Sequence, residues 1–253
     1  MMTVMFDSNV YRRVLQPADF PNDPQRNRIE RIHKAICDKT IKGYLSEVIF
    51  QIEAIKKADR KNFYKLYTPT TECFEKADED GIQLNFLIRP SENRIPIDNY
   101  RSKYIGIAEK LGVDVIKENR LAMPNSNVPK SMFLKVDDFH EKNEAVGKLE
   151  RAMEKRQIGF GKIKQICSPF ADGKPWFFGL PYADEKMVQK AFSEWADGDA
   201  LAACYGYKIQ YFCTEDQGKS AGFDSVFSNE NRQWLKDDYG MDIVSLDRLA
   251  DML

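Results

Sequence analysis

Short β-branched or aromatic runs alternate with helix-length amphipathic stretches at both ends of this chain, and few architectures accept that alternation. Residues 3–6 (TVMF) read as a strand, followed by a short helix over 11–15 and an amphipathic helix over 25–39. Near the other end, residues 209–214 (IQYFCT) read as a buried strand. A helix over 229–239, a strand over 241–244 and a closing helix over 246–253 follow it. Strand and helix periods in turn predict parallel strands joined by right-handed crossovers, hence an α/β/α sandwich around a mainly parallel sheet. Ligands of such sheets bind outside the carboxyl ends of the strands. The first strand runs straight into Asp7 and the late strand into Asp216, so both carboxylates are expected on that side.

Two further sources of acid point the same way. Asp199 follows Gly198 and precedes the helix-forming run ALAA, which reads as a helix start. A helix over 184–195 is expected before it, with Met187, Val188, Ala191, Phe192 and Trp195 as its apolar stripe. Ser46 reads as the N-cap of a helix that carries Glu47 and Glu53, continues through Ile55 and ends in a basic run. Glu47 and Glu53 are six residues apart and face differently, so at most one of them meets a shared site squarely.

The D-S-N after the first strand, the S-E-x5-E segment, the G-D-A-L-A-A turn and the T-E-D after the late strand occur in this order. Together they resemble the PIN-domain nucleases over residues 1–68 and 183–253. The resemblance implies a cluster of acidic side chains that binds Mg²⁺ or Mn²⁺ and hydrolyses phosphodiester bonds, of single-stranded RNA before DNA. It assigns the metal-binding and catalytic roles to Asp7, Glu53, Asp199 and Asp216. Glu47 stays a candidate for the Glu position, and Asp197, two residues before Asp199, is a stand-in. Asn9 or Thr214 would orient the ligands or the nucleophile. Compact members of the family are toxins held by a small antitoxin, which leaves a toxin role, an antitoxin-like protein inhibitor and a homodimer open.

The ionisable residues support a carboxylate-and-metal mechanism independently. The chain has 2 His, too little material for a Ser/His/Asp triad, and His33 reads as a partner-bonded or exposed histidine. Crowded carboxylates repel one another until a cation intervenes, and hard oxygen donors without His or Cys select Mg²⁺ or Mn²⁺ over zinc. The 5 Cys show no C-x-x-C spacing and read as reduced, mostly buried thiols. A net charge of −1 supplies no global basic field, so nucleic-acid binding would rest on local clusters. Lys56 and Lys57 form one such cluster. Lys162 and Lys174 lie in two glycine- and aromatic-rich stretches, 159–164 and 173–179, read as loops that could stack bases. Without a transmembrane-length run or a signal pattern, a cytoplasmic protein with no membrane contact is expected.

A single domain over 1–253 is expected, with residues 69–182 as an extended, mostly helical middle segment or insertion. Residues 82–88, 97–111 and 113–116 read there as strand, helix and strand, a unit that could supply middle strands of the sheet. Residues 124–130 read as a loop, and 136–157 as a long, exposed, charged helix with Val146, Leu149 and Met153 as its stripe. An Asp-nucleophile phosphatase would want a second Asp where Asn9 stands, and a response-regulator module wants paired acids before its first strand's Asp. The remaining alternative is a catalytically inactive PIN-like module that binds RNA or protein.

Overall fold

The computed structural model describes residues 1–66, 70–78, 81–89, 99–118, 126–218 and 225–253, with backbone alone for 65–66, 70–78, 81–89 and 99–100. In chain order these form β1 (Met2–Phe6), α1 (Tyr11–Leu15), α2 (Arg26–Cys37), β2 (Ile41–Ser46), α3 (Arg60–Leu66), β3 (Thr70–Asp78) and β4 (Gly81–Arg89). Then come α4 (Asn99–Leu111), β5 (Asp114–Ile116), α5 (Phe139–Lys155), α6 (Phe160–Cys167) and α7 (Glu185–Gly206). The chain closes with β6 (Tyr211–Cys213), α8 (Asn229–Tyr239), β7 (Asp242–Val244) and α9 (Leu246–Asp251).

Five strands make one all-parallel sheet in the order β5-β2-β1-β6-β7. Numbered among themselves the order is 3-2-1-4-5, so the winding reverses between β1 and β6. That is the topological switch point of a doubly wound sheet. The register pairs Met2 with Ile41 on one side of β1 and Val4 with Tyr211 on the other. Alternation along β1 then divides the core. Val4 and Phe6 pack with Ile29 and Ile32 of α2, Ala108 of α4 and Leu249 of α9. Met5 and Phe212 face the other layer, with Leu149 of α5, Ile163 of α6, Trp195 of α7 and Leu235 of α8. Both faces are covered by helices, as an all-parallel sheet requires.

Local signals account for the well-bounded elements. In α2 the buried Ile29, Ile32, Ala35 and Ile36 repeat at helical spacing. Ser228 caps α8 by accepting from the Asn231 N–H, and Gly240 ends it in the left-handed conformation (φ 64°). His33 Nδ1 lies 2.9 Å from the Val14 carbonyl, a partner-bonded histidine. Cys167, Cys204 and Cys213 are buried thiols, while Cys37 is exposed. Among the described residues, no helix is long and apolar enough to cross a membrane.

Several expectations are corrected. Residues 46–55 are not one helix. Ser46 does accept from the Val48 N–H, but two 3-10 turns, Glu47–Phe50 and Ile52–Ala54, follow, separated by Gln51 at φ −113°, ψ −100°. The Arg101 guanidinium takes the carbonyls of Ile49 and Glu53, so a tertiary donor satisfies acceptors that helix amides would otherwise use. The basic run beyond is itself broken into a 3-10 turn, Lys57–Asp59, and α3. Residues 82–88 are strand but do not join the parallel sheet. They lie in β4, paired antiparallel with β3, a strand that the sequence reading does not anticipate. Antiparallel neighbours need only a tight connection, whereas a parallel partner needs a crossover. Strand β5, by contrast, is an edge of the main sheet, paired to β2.

The long charged helix, α5, is not free-standing, because Leu149 and Met153 are buried in the layer with α7. Residues 160–167 form helix α6 with Phe160 buried, and not a base-stacking loop. On α7 the expected stripe is buried at Val188, Ala191, Phe192 and Trp195, while Met187 is exposed. The loop expected over 124–130 lies partly outside the described residues, as do residues 97–98 of the helix expected over 97–111.

Candidate functional site

At the switch point the ladder between β1 and β6 continues one step, with the Asp7 N–H bonded to the Cys213 carbonyl at 3.0 Å. This carries the buried Asp7 side chain just past the sheet edge. Its Oδ1 accepts from the Ser8 N–H at 2.6 Å, and its Oδ2 from Asn9 Nδ2 at 2.7 Å and the Thr214 hydroxyl at 2.6 Å. Asn9 also ties the two strand ends together, its Oδ1 accepting from the Glu215 N–H at 3.1 Å. The Asp216 N–H donates to the Thr214 hydroxyl at 3.0 Å, and Asp216 Oδ1 accepts from the Gly218 N–H at 2.7 Å. From the second 3-10 turn, Glu53 Oε1 accepts from the Ser8 hydroxyl at 2.9 Å. Sequence reasoning places Asp7, Asn9, Glu53, Thr214 and Asp216 near one another, and the structure brings these five together.

Asp199 is elsewhere. It sits inside α7, a 22-residue helix, and not at a helix start. Gly198 is there for a different reason from a break, since a Cβ at that position would stand 3.0 Å from the Gly159 Cα. The glycine admits a close approach of the loop before α6. Residues two apart on a helix point about 200° away from each other. Asp197 therefore takes the face toward the switch point and Asp199 the opposite one.

Protonation shows which acids feel one another. Burial pushes the Asp7 carboxyl up to about 7, and Glu53 and then Asp216 push the same way, against hydrogen bonds from Thr214 and Ser8. Asp197 is held well above the ordinary carboxylate range by burial, then by Asp7, Glu53, Glu194 and Asp216. Glu53 is raised by burial, against the opposing charges of Arg60, Arg101 and Lys57 and the Ser8 hydroxyl. Asp7, Glu53, Asp197 and Asp216 thus form one electrostatic group of four carboxylates.

Asp199 belongs to a second group. Its Oδ2 accepts from Trp195 Nε1 at 2.7 Å. Carboxylate oxygens of Glu118, Glu150 and Asp199 lie within 4.8 Å of one another, the one set of three that does so among the described residues. A cavity of about 230 Å³, bounded by Lys117, Glu118, Asn143, Glu150 and Tyr207 among others, adjoins them. Glu118 follows β5 by two residues, the same strand-end signal that singles out Asp7, and sequence reasoning missed it. Glu47 serves that edge too. It is buried, and its carboxylate accepts from the Glu118 N–H at 2.8 Å and from the Ser126 hydroxyl.

Of the four lysines singled out from sequence, Lys57 acts on Glu53 electrostatically and Lys56 is exposed beside it. Lys162 bonds Gln165 along α6, and Lys174 lies 5.6 Å over the Phe178 ring. Trp176 packs edge-on to Trp195 in the core, while Phe177 and Phe178 are exposed. Arginines unmarked in the sequence reading also stand beside the acids. Arg12, Arg60 and Arg101 line a cavity of about 350 Å³ that Glu53 and Ser8 share.

The donor chemistry at the switch point fits a hard divalent cation. Every candidate ligand is a carboxylate oxygen, and the repulsion among them that nearby cations leave unrelieved favours holding protons. No three of these four carboxylates bring oxygens within 4.8 Å of one another as the Glu118 triad does, a looser grouping than direct ligation by three of them would need and compatible with an ion such as Mg²⁺ that usually keeps several of its waters. Compared with known protein families, curated proteins and solved structures, the chain finds no match.

Proposed function

We propose that the chain is a divalent-metal-dependent endonuclease with a PIN-like fold, cutting phosphodiester bonds of single-stranded RNA in preference to DNA. Asp7, Glu53, Asp197 and Asp216 would hold Mg²⁺ or Mn²⁺. The single observation that carries the reading is their convergence at the point where the sheet reverses its winding, with Asp7 and Asp197 each raised by burial and then by its neighbours' charge. Asp197 takes the place that the family resemblance gives to Asp199. The hairpin β3–β4, together with α5 and α6, would be this chain's elaboration of the middle segment.

When bound, a hard divalent cation supplies Lewis-acid stabilisation of charge on a phosphoryl oxygen and eases deprotonation of water. The protein's own groups do the rest. Both hydrogen bonds to Asp7 Oδ2 fix the carboxylate's plane, and Oδ1, with one donor, keeps a lone pair free for a ligand. Thr214 receives the Asp216 N–H while donating to Asp7, so one hydroxyl sets both carboxylates. Ser8 links Asp7 to Glu53 through its amide and its hydroxyl.

A second reading places the ion at Glu118, Glu150 and Asp199, favoured by their closer spacing. One experiment separates the two. Mn²⁺ binding by calorimetry and cleavage of single-stranded RNA and DNA are measured on wild type, Asp7→Asn/Asp197→Asn and Asp199→Asn. The expected result is loss of binding and cutting in the double variant, with both retained in Asp199→Asn. The reverse pattern would move the centre to the Glu118 triad. Binding without cutting of any substrate would favour the inactive binding module.

A further inference from the structure

Large apolar side chains stand in solvent chiefly in one place. Seven are exposed among the described residues, and five of these, Phe170, Phe177, Phe178, Tyr182 and Met187, fall within residues 170–187. The segment that carries them is not a frayed loop. Two 3-10 turns, Ser168–Phe170 and Trp176–Phe178, pack on each other and on α6. The Gly179 N–H bonds to the Trp176 carbonyl at 3.0 Å, and the Tyr182 and Ala183 N–H groups both bond to the Gly179 carbonyl, at 3.1 Å and 3.2 Å. Ala171, Leu180 and Ala183 are buried, and Trp176 packs edge-on against Phe160 and Trp195. A Cβ at Gly179 would collide with the Cys167 carbonyl oxygen, so the backbone lies hard against the end of α6. The segment fills its inward positions and still holds Phe177 and Phe178 outward, ring centroids 4.9 Å apart, on a fixed frame.

Area and charge narrow the choice of partner. Phe170, Phe177, Phe178, Tyr182 and Met187 are 50%, 44%, 50%, 73% and 51% exposed, which at roughly 200 Å² for each large side chain leaves about 500 Å² of apolar surface. A soluble monomer rarely carries a larger exposed apolar patch, and patches of this size mark contact sites. A standard interface takes about 800 Å² from each partner, of which roughly 65% is apolar where two identical chains meet. That share is also about 500 Å², the amount this segment offers. Within residues 168–190, Asp172, Asp184 and Glu185 stand against Lys174, Lys186 and Lys190. A nucleic acid or an anionic membrane is recognised by cations in excess, and balanced signs favour neither. A two-fold contact needs both signs, because each surface meets its own copy and must pair opposite charges across the axis.

We propose that the aromatic surface of residues 168–187 is the contact between two copies of this chain, related by a two-fold axis. The proposal does not draw on the nuclease reading. Met187 precedes Asp197 on α7 by roughly 15 Å of helix, so the two copies join at a place separate from the carboxylates.

The test is sedimentation equilibrium of the full chain on wild type, Phe177→Ser/Phe178→Ser and Phe139→Ser. The dilution series runs from about 100 μM downward, which covers the weak end of interfaces of this size. The replaced side chains are exposed, so the fold should not depend on them, and thermal melting of each variant checks this. If the double variant melts early, Tyr182→Glu, at the most exposed of the five, takes its place. Wild type is expected at twice the chain mass at the top of the series, with dissociation on dilution. Each substitution occurs twice in a two-fold contact, so the double variant should pair at least about hundredfold more weakly. Phe139 is the control. It is exposed on the first turn of α5, near the other end of α7, where Gly206 packs on Lys142, and Phe139→Ser should pair as wild type does. A wild type that keeps the chain mass throughout, or a folded double variant that pairs as tightly as wild type, overturns the proposal. A loss in Phe139→Ser as large as in the double variant would place the contact elsewhere and overturn it too. If wild type is monomeric and the double variant loses affinity for a labelled single-stranded oligonucleotide, the surface belongs to nucleic acid and the second copy is ruled out.

Discussion

Asp7 is poised between two demands. Its burial and the charges of Glu53 and Asp216 favour the neutral acid, while Thr214 and the Ser8 amide favour the anion, and the balance lies at about 7. Removing Thr214's hydroxyl should tip it further toward the acid. Thr214→Val is expected to move the acid limb of the pH–activity profile upward by roughly one pH unit, the worth of a hydrogen bond to a charged group. A profile unchanged in Thr214→Val would mean that Asp7 does not need its charge for turnover. Much of this neighbourhood is legible in the sequence, because Asp7, Asn9, Thr214 and Asp216 all flank strand ends, and in a parallel sheet strand ends share one edge. The arginines are not legible. Arg12, Arg60 and Arg101 come from three separate helices, and only the packing of those helices brings them to one cavity.

Among the elements, α7 has the largest effect on how the acids are arranged. As one continuous helix it presents Asp197 to the switch point and Asp199 to Glu118 and Glu150, so a residue's identity as a ligand depends on helix phase alone. Reading Gly198 as a helix start shifts that phase by two residues, which is why sequence reasoning prefers Asp199. The signal that would correct it, a glycine contact with Gly159 39 residues earlier, is a tertiary one. Gly198→Val tests this directly. Replacing a mid-helix glycine ordinarily gains up to about 1 kcal/mol, but overpacking a tight contact costs roughly 1–3 kcal/mol. With the new Cβ 3.0 Å from a backbone atom, the cost should win and the melting temperature should fall by several degrees. A variant that melts higher than wild type would show that the close approach is not required. The two 3-10 turns after β2 make the same point, since Ser46 is a legible cap but Arg101's claim on the carbonyls beyond it is not.

For the whole molecule, raised carboxyls make stability depend on pH in a definite direction. Asp7 releases its proton at its ordinary value of 3.8 when unfolded and at about 7 when folded, so the folded state holds more protons across that window. Metal-free stability therefore falls as pH rises from about 4 to about 7, with Glu53 and Asp197 acting in the same sense. A divalent cation replaces those protons, and its benefit should grow over the same range. At a hundredfold excess over its dissociation constant at pH 8, Mg²⁺ or Mn²⁺ is expected to raise the melting temperature by about 5–10 °C. The same concentration should do much less at pH 5, and equal shifts at both would count against the carboxylates as the binding site. The parallel sheet itself is legible because strand and helix periods alternate plainly at both ends of the chain. The hairpin β3–β4 is not, since nothing in residues 82–88 says whether a strand finds a parallel or an antiparallel neighbour.

The hydrogen bond from Thr214 to Asp7 spans 207 positions of sequence, and β6 is the strand that lies against β1 on its open side. While the chain is being synthesised, β1 and β2 can pair early, but the centre of the sheet stays one-sided until Tyr211–Cys213 emerges. Asp7 meanwhile lacks two of the groups that tune it, Thr214 and Asp216. The group of carboxylates around Asp7 is thus assembled only once β6 has emerged and paired with β1.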